Sequence, residues 1–380
     1  MVRTVVHFDD SREFGGAQKV LLHLMAGLDR RQWRPVLFHH PAPGIVPMVE
    51  AARLLDIERR EVPPIWTRSE AWTGFGPFVQ QLRDVRPAVF HAHLTTAIGC
   101  KYGVLAAALL RVPAIVATLQ LVFDVLPAWR YDVSQRLITT CVDRYIAVSK
   151  GIAGRLRERF HVPDRKIHVI YNAVPLPGLD RADAAGLRGD FVRSDGCAVV
   201  LTLARLEEQK GLGYLLDAAA RVPNARFVIA GEGRERASLE QRAAALGLGN
   251  RVVFVGFRAD TAALLRKCDL FVLPSLFEGL PLSILEAMAA RKPVIASCIA
   301  GNDEAVVHGE TGLLVPPADG GALAEAIQRL LADPGLAHRL AAAGHERVRR
   351  EFSTDAMVSR VSALYDEVLT RQGRPNGAGV

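Results

Sequence analysis

The sequence predicts an α/β protein with two doubly wound domains, each built on a parallel β-sheet, and with a cleft between the two sheets. The chain has 380 residues, which is too long for one ordinary hydrophobic core and fits two domains of similar size. Short apolar runs rich in β-branched residues alternate with Ala- and Leu-rich stretches along both halves. Buried strands that alternate with helices are typical of βαβ units, and these units form parallel sheets.

The expected strands follow one another at regular intervals in each half. The first half contains TVVHF, RPVLFHH, PAVFHAH, PAIVAT and RYIAVS, and the second contains AVVLTLA, ARFVIAG, RVVFVGF, LFVLPS, KPVIAS and GLLVPP. The alternation is interrupted between Val174 and Cys197, where polar residues, glycine and proline predict a linker. The expected domains are therefore residues 1–176 and 177–352. Apolar residues at helical spacing predict a last helix over about residues 353–372, followed by a frayed tail.

The composition argues against several classes of protein. No apolar run reaches the roughly 18 residues that span a bilayer, and MVRTVVHFDD resembles a strand rather than a signal peptide, so we expect a cytoplasmic location. The cysteines lack CxxC spacing, which disfavours zinc and disulfides, and we expect all of them to be buried thiols. The formal net charge is +7, and the basic excess lies in the first half. It indicates an acidic partner or a membrane face, or it serves solubility alone; nucleic acid is disfavoured because the basic residues are dispersed.

The stretch PSLFEGLPLSILEAMAA is the first of three strand ends with candidate ligand-binding residues. In doubly wound sheets, ligands bind beyond the carboxyl ends of strands, at helix N-termini. Pro281 suits the first helical position, and the free N–H groups of Leu282 and Ser283 would form an anion site. Glu286 would lie roughly 7.5 Å along the helix, near the ribose of a bound nucleoside diphosphate. Glu278, on the loop, would face the sugar. Both glutamates could equally be ordinary surface residues.

Two further strand ends carry candidate residues. In LTLARLEEQKGLGYLL, Arg205 and Lys210 share a strand-to-helix loop, where two cations could neutralise a diphosphate and the charge that develops when it leaves. The alternative is that they are solvated surface charges. In FDDSREFGGAQKVLLHL, Gly15 and Gly16 precede a helix and would let backbone approach a ligand closely, although such pairs are common in turns.

Signatures of other nucleotide-binding classes are missing. GEGRER has Arg236 where GxGxxG requires its last glycine, which argues against a classical NAD enzyme. No GxxxxGK[ST] run is present, so the protein is not a P-loop NTPase. The adjacent Asp9 and Asp10 should point in different directions, so they do not form a DxD metal site.

Taken together, the motifs resemble glycosyltransferase family 4, whose members are retaining enzymes with the GT-B fold of two Rossmann-like domains. The resemblance rests on E-x7-E at Glu278 and Glu286, on R-x4-K at Arg205 and Lys210, on the GGA loop that starts at Gly15, and on the run GETGLLVPPAD. It covers nearly the whole chain.

The resemblance implies a role for each matching residue. Arg205 and Lys210 would bind the donor diphosphate. Glu286 would hold the ribose, and Glu278 would contact the donor sugar. Further donor-binding residues implied by the resemblance are Gly15, Gly16, Asn172, Gly279, Leu280, Pro281, Leu282 and Ser283.

His93, in VFHAHLTTA, matches the second histidine of an HxH strand end that points into the cleft in the family. Strand alternation puts His91 on the same side, and we choose His93 because it is nearer the carboxyl end of the strand. Either could also be a core histidine with satisfied hydrogen bonds. The family's last helix crosses back onto the first domain. The chain departs from the family at Leu119-Gln120, which replaces a frequent His-Gly or His-Asp, and at Ala300, which replaces a usual glycine.

The implied reaction is retaining transfer of a sugar from a nucleoside-diphosphate-sugar donor to a hydroxyl acceptor. No cofactor and no metal ion is expected, because the cations and the helix end would stabilise the leaving diphosphate. The basic first half and the apolar segment 121–131 favour a glycan or lipid-linked acceptor and a peripheral contact with the inner face of the cytoplasmic membrane. The segment could instead be an ordinary core helix or a lid. Two other functions stay open, a nucleotide-sugar epimerase and a non-catalytic nucleotide-sugar-binding protein.

Overall fold

The chain forms two compact units, one of Met1–Ala173 with Thr354–Val380 and one of Val174–Ser353. The computed structural model describes residues 2–94, 99–121, 136, 138–176 and 197–372. The sequence-based boundary after residue 176 falls near the division between the units. The parts of the sequence prediction that lie outside the described residues are the linker 177–196, the apolar segment from 122 onward and the tail beyond 372.

The first unit is built on one parallel sheet. Its strands are β1 Arg3–Asp9, β2 Trp33–His39, β3 Glu58–Glu61, β4 Val89–Leu94, β5 Ala114–Leu119, β6 Arg144–Ala147 and β7 Ile167–Val169. Its first helices are α1 Gly16–Gly27, α2 Val46–Leu54, α3 Arg68–Val85, α4 Lys101–Leu109 and α5 Lys150–Glu158. In the described part of the chain the strand order is β3-β2-β1-β4-β5-β6-β7. This order is doubly wound because the chain reverses its direction of progress after β3.

The second unit repeats this architecture. Its strands are β8 Ala198–Leu203, β9 Ala225–Ala230, β10 Val252–Phe254, β11 Leu270–Leu273, β12 Val294–Ser297 and β13 Leu313–Val315. Its helices are α6 Leu212–Arg221, α7 Arg236–Ala245, α8 Thr261–Lys267, α9 Leu282–Ala289, α10 Asn302–Ala305, α11 Gly320–Ala332 and α12 Pro334–Glu351. Among the described residues the strands pair in parallel in the order β10-β9-β8-β11-β12-β13. The chain again reverses its progress once, between β10 and β11.

The observed strands confirm the predicted fold class, since all of the apolar runs form strands of two parallel sheets. Strand β3 lacked a sequence signal. Its residues ERRE are charged, and their side chains alternate between half-buried and exposed. β3 pairs with β2 at one edge of the sheet, where a strand needs no continuous apolar run and where charged side chains discourage pairing with another chain.

The last helix, α13 Thr354–Gln372, belongs to the first unit and packs against α1 and β5. Tyr365 is fully buried and meets the ring of Trp33 edge to face, with the ring centroids 5.3 Å apart. The Trp33 indole donates a hydrogen bond of 2.9 Å to the Ser362 hydroxyl. Arg3 stacks on Trp33 and forms an ion pair with Asp366. The aromatic and polar contacts together fix the rotation of the helix on the sheet.

Two further expectations concern burial. In the described part of the chain, no helix is both long enough and apolar enough to cross a bilayer. The expectation that every cysteine is buried was wrong. Cys100 and Cys268 are buried, Cys141 and Cys197 are half-buried, and Cys298 is exposed. Cys298 directly follows β12, so it has already left the sheet that buries the residues before it.

Candidate active site

The topology of the second unit brings the two predicted motif loops together. The loop after β8 carries Arg205 and Lys210, and the loop after β11 carries Glu278. Strands β8 and β11 are direct neighbours and run parallel, so their carboxyl ends meet at one edge of the sheet. The order in which the chain adds strands to the sheet also changes side between β8 and β11, and the crevice at such a point is the usual place for a ligand in these folds.

A buried ion pair lies at the centre of this edge. The Lys210 Nζ is 2.5 Å from Oε1 of Glu278, and the two side chains are only 14% and 6% exposed. The Ser275 hydroxyl donates a second hydrogen bond, of 2.7 Å, to the same carboxylate oxygen. The sequence placed Lys210 with a diphosphate and Glu278 with a sugar, whereas the structure pairs them with each other. Ser275 is buried and had no sequence signal.

Backbone contacts hold the two loops against each other. The side-chain Nε2 of Gln209 donates to the backbone carbonyl of Phe277 at 2.8 Å, and the Leu276 N–H donates to the backbone carbonyl of Gln209 at 2.8 Å. Gly211 is the N-cap of α6 and adopts the left-handed region at φ 61°, and a Cβ there would overlap the carbonyl oxygen of Pro274. A glycine is therefore required directly after Lys210. These contacts fix the position of the lysine relative to the glutamate.

Arg205 is placed differently from Lys210. Its side chain is exposed, and its guanidinium is 3.4 Å from Oε1 of Gln209. Its backbone is tightly enclosed, because a Cβ at Gly231 would overlap the carbonyl oxygen of Ala204 and one at Gly233 would overlap Leu206. The glycines of GEGRER, which failed as a dinucleotide motif, thus pack the loop that carries Arg205. The guanidinium itself is exposed to solvent apart from its contact with Gln209.

The start of α9 presents backbone N–H groups at the same edge. Pro281 is the N-cap, with an extended backbone, and the helix begins at Leu282, so the prediction that Pro281 occupies the first helical position was wrong by one residue. The reason is its ψ of 121°, which is extended rather than helical. Pro281 itself provides no side-chain cap for this helix. Leu282 and Ser283 are the first two residues of the helix, so their N–H groups have no acceptor within it and could bind an anion.

The remaining residues of this loop are closely packed. Gly279 and Leu280 are buried, and Glu286 is half-buried in the second turn of α9. Gly301 adopts φ 90°, and a Cβ there would overlap the carbonyl oxygen of Gly279. The loop after β12 thus supports the loop before α9. Gly301 is the second residue of the family's usual Gly-Gly, and its backbone conformation shows why that position must be glycine even though Ala300 precedes it.

In the first unit, three histidines form a buried cluster at the end of β4. Nε2 of His93 lies 3.1 Å from Nδ1 of His7, on the neighbouring strand β1. His91 uses both ring nitrogens: Nδ1 is 2.6 Å from the hydroxyl of Tyr365, and Nε2 is 2.7 Å from the hydroxyl of Thr118. His91 is thus a core histidine with satisfied hydrogen bonds, whereas His93 retains 6% of its exposure.

Burial keeps the histidines of this cluster neutral. It lowers the pKa of His93 to about 3, and it lowers the pKa of His7 and His91 well below the ordinary value, with their neighbouring histidines adding to the effect. The ligand atoms of the three rings lie within 4.8 Å of one another, so the cluster could in principle hold a metal ion. His91 would then have to give up a hydrogen bond to Tyr365 or Thr118, so the site is better suited to a chain of hydrogen bonds.

The other predicted donor-binding residues of the first unit lie at the ends of their elements. Gly15 is the N-cap of α1 and donates its N–H to the side chain of Gln18 at 2.9 Å, and Gly16 is exposed. Gly15 has an extended backbone with φ −146°, so its own conformation does not require glycine. Asn172 donates a hydrogen bond of 2.9 Å to Gln120, the residue at which the chain departs from the family. Gln120 therefore positions Asn172.

Two family models match consecutive parts of the chain. The model for Glycosyltransferase Family 4 matches residues 14–176, and the model for Glycosyl transferases group 1 matches residues 187–347. An uncharacterized glycosyltransferase of Methanocaldococcus jannaschii is 32% identical over 238 residues, which are 60% of this chain and 61% of that protein. The lipopolysaccharide core biosynthesis glycosyltransferase LpsE of Rhizobium meliloti is 38% identical over 219 residues, 58% of this chain and 62% of LpsE.

The matched regions thus span about six-tenths of the length of these curated relatives. Among solved structures, HepE of Anabaena in complex with UDP and glucose superimposes with a TM-score of 0.81 at 22% identity, covering 96% of this chain and 100% of HepE. The two family models match the two Rossmann-like units in order along the chain. The residues matched by the first model include the GGA loop, and those matched by the second include the R-x4-K and E-x7-E motifs. The chain therefore belongs to the family 4 glycosyltransferases, and its two units are those of the GT-B fold.

Proposed function

We propose that this protein is a retaining glycosyltransferase that moves a sugar from a nucleoside-diphosphate-sugar to a hydroxyl acceptor. The observation that carries the proposal is the Lys210–Glu278 ion pair beside the uncapped start of α9. An ammonium and a row of free N–H groups suit a diphosphate, and an adjacent carboxylate suits the hydroxyls of a sugar. The complex of HepE with UDP and glucose supports the same class of donor.

Departure of the diphosphate is the difficult step in this reaction, because negative charge develops on the leaving group while the anomeric carbon becomes electron-deficient. The N–H groups of α9 would already point to where this charge develops, and Lys210 would turn from Glu278 to the same phosphates, so that the backbone and the ammonium together stabilise the charge. Arg205 has an exposed guanidinium and would turn toward the phosphates when the donor binds. Protein cations would then supply the charge stabilisation that a divalent metal ion supplies in other transferases.

Retention of configuration by double displacement would require a carboxylate under the sugar ring. We propose front-face transfer instead, in which the leaving phosphate accepts the proton of the acceptor hydroxyl. His93 would act as a neutral hydrogen-bonding group, since burial keeps its pKa at about 3. Among the described residues, Nε2 of His7 is buried and has no hydrogen-bonding partner. This favours the tautomer of His7 that carries its proton on Nδ1, which then donates a hydrogen bond to Nε2 of His93. His93 would then carry its proton on Nδ1.

The acceptor that we propose is a glycan or a lipid-linked saccharide at the inner face of the cytoplasmic membrane. The relationship to LpsE, which is named for lipopolysaccharide core biosynthesis, supports a cell-envelope glycan. The basic excess in the first half of the chain supports an acidic acceptor or an anionic surface next to it.

A panel of nucleotide-sugars scored by thermal shift tests the donor class. A ligand present at 100 times its Kd adds about 2.7 kcal/mol of stability, which is readily detected. The stabilising donor is then used to measure turnover by the wild type, by Lys210→Ala and by Arg205→Ala. We expect kcat to fall by roughly a hundredfold in both, because each change removes a stabiliser of the leaving charge.

The matched control is Arg329→Ala, which removes an exposed arginine from α11 and should leave turnover unchanged. If no nucleotide-sugar stabilises the wild type, or if both loop variants turn over normally, the proposed function is refuted. Isomerisation of the donor in the absence of acceptor would instead identify an epimerase. The anomeric configuration of the product, measured by NMR, tests retention.

A further inference from the structure

The first unit presents an exposed apolar surface on its two neighbouring helices α3 and α4. We call this the α3–α4 surface, and it consists of Trp72, Phe75, Tyr102, Leu105 and Leu109. Trp72 is 90% exposed, the highest value among the large hydrophobic side chains of the described residues, and Leu109 is 66% exposed. Spacings of three and four residues put the members from each helix on one side of that helix.

A groove of about 460 Å³ lies within this surface, and its lining includes Arg68, Trp72, Phe75, Tyr102 and Leu105. The groove is not needed for the core of the unit. Helix α3 already buries a separate apolar face that includes Phe78 and Leu82. A large aromatic side chain that remains exposed, next to other apolar residues, marks a surface for interaction rather than a requirement of folding.

The charges around the surface are mainly basic. Arg68 lines the groove, the Lys101 ammonium lies 4.9 Å from the ring centroid of Tyr102, and Arg111 is exposed just after α4. Two acidic groups lie at the starts of the helices, fewer than the basic ones: Glu70 accepts hydrogen bonds from Thr67 at the start of α3, and Asp10 accepts one from the Cys100 N–H at the start of α4. Aromatic side chains combined with lysine and arginine are characteristic of surfaces that lie in the headgroup region of an anionic bilayer.

The position of the surface connects it to the proposed reaction. Helix α3 follows β3 and α4 follows β4, so both helices begin at the carboxyl edge of the first sheet. His93 lies at the end of β4, at this same edge. A membrane that contacts Arg68, Trp72 and Tyr102 would therefore lie close to the part of the first unit that carries His93.

We propose that the α3–α4 surface docks on an anionic lipid bilayer, with Trp72 and Leu109 inserted among the headgroups and the basic side chains on the lipid phosphates. This proposal rests on the proposed function, because docking would give the enzyme access to a lipid-linked acceptor. It makes a separate physical claim about binding, so its failure and the failure of glycosyl transfer are distinguishable.

Vesicle sedimentation tests the claim directly. The full chain is mixed at low salt with vesicles of equimolar phosphatidylglycerol and phosphatidylcholine, or of phosphatidylcholine alone. We expect binding to the anionic vesicles that weakens as salt rises. Trp72→Ser combined with Leu109→Ser should reduce the partition coefficient roughly tenfold or more, since two apolar side chains no longer leave water. Both residues are exposed, so the variant should keep the thermal stability of the wild type.

The matched control is Phe257→Ser, which removes a side chain that is 62% exposed but lies in the second unit, and it should bind as the wild type does. Brominated lipid should quench the tryptophan fluorescence of the wild type more than that of Trp72→Phe. The proposal is overturned if the wild type does not sediment with anionic vesicles at low salt, or if the double variant binds equally well. It is also overturned if light scattering shows that the surface joins two copies of the chain and the vesicles bind neither form.

Discussion

Breaking the Lys210–Glu278 ion pair from one side should destabilise the protein much more than removing both charges. Lys210→Met keeps the aliphatic part of the side chain but removes the ammonium that neutralises Glu278. The Glu278 side chain is 6% exposed, and its carboxylate would keep the hydrogen bond from the Ser275 hydroxyl. Removing one partner of a buried ion pair costs about 3–5 kcal/mol, and the residual exposure of Lys210 points to the lower end, near 3 kcal/mol. Glu278→Gln costs less, because its amide oxygen still accepts a hydrogen bond from the lysine.

The double variant Lys210→Met/Glu278→Gln contains no buried charge at this position. Its loss of stability should therefore be smaller than the sum of the single losses by about 2 kcal/mol, which is the coupling energy of the pair. Urea unfolding of the ligand-free protein followed by circular dichroism measures the three differences. Salt should change the coupling only slightly, because the pair is largely shielded from solvent. Single losses that add to within about 0.5 kcal/mol would show that the pair is not a buried, coupled unit.

Three further changes test separate parts of the site. Glu286→Ala should weaken binding of UDP or GDP in calorimetry if this carboxylate holds the ribose, whereas Glu325→Ala, on the exposed side of α11, should leave the Kd unchanged. Gly301→Ala should lower the free energy of unfolding measured in urea by about 2 kcal/mol or more, because φ 90° is strained for alanine and the new methyl group overlaps the loop before α9. The control Gly249→Ala has open space around the new methyl group, so it should change the free energy of unfolding by less than about 0.5 kcal/mol. Burial lowers the pKa of His93 from 6.5 to about 3, so between these values the unfolded chain binds a proton that the folded chain does not. The contribution of His93 to the free energy of unfolding is therefore fully present above about pH 6.5, and below that pH it falls by up to about 1.4 kcal/mol per pH unit. His93→Gln should make the urea midpoint decline less steeply between about pH 7 and 5. An unchanged decline would contradict a neutral, buried His93.

The parallel strands were predictable because burial on both faces leaves a continuous apolar run in the sequence. β3 was not, since an edge strand pairs through its backbone and its ERRE side chains need not be apolar. The proximity of the two motif loops of the second unit was also predictable, because strand ends of a parallel sheet share an edge. The ion pair was not: it depends on β8 and β11 being neighbours and on the conformation of Gly211, and neither is written in the local spacing.

The choice between His91 and His93 illustrates the same limit. Strand position favoured His93, but strand alternation places both rings on one side of the sheet. The structure separates them through partners that are distant in sequence. His91 is held by Tyr365, which comes from the C-terminal helix, and by Thr118 on the next strand, whereas His93 contacts His7 through one nitrogen. Only the folding of α13 onto the first unit brings Tyr365 to His91.

If the proposed function is right, the ion pair would let one small site bind both halves of the donor. In the ligand-free state Lys210 and Glu278 neutralise each other, so neither buried charge is left uncompensated. A bound diphosphate would compete for the same ammonium, and once the lysine turned to it the carboxylate would lose one hydrogen-bond donor. Ser275 and the locked loops keep Glu278 in place, so the hydroxyls of the sugar can replace the lysine as hydrogen-bond donors. The donor would thus exchange one internal ion pair for two ligand contacts, with Glu278 and the backbone N–H groups of α9 already positioned before it binds.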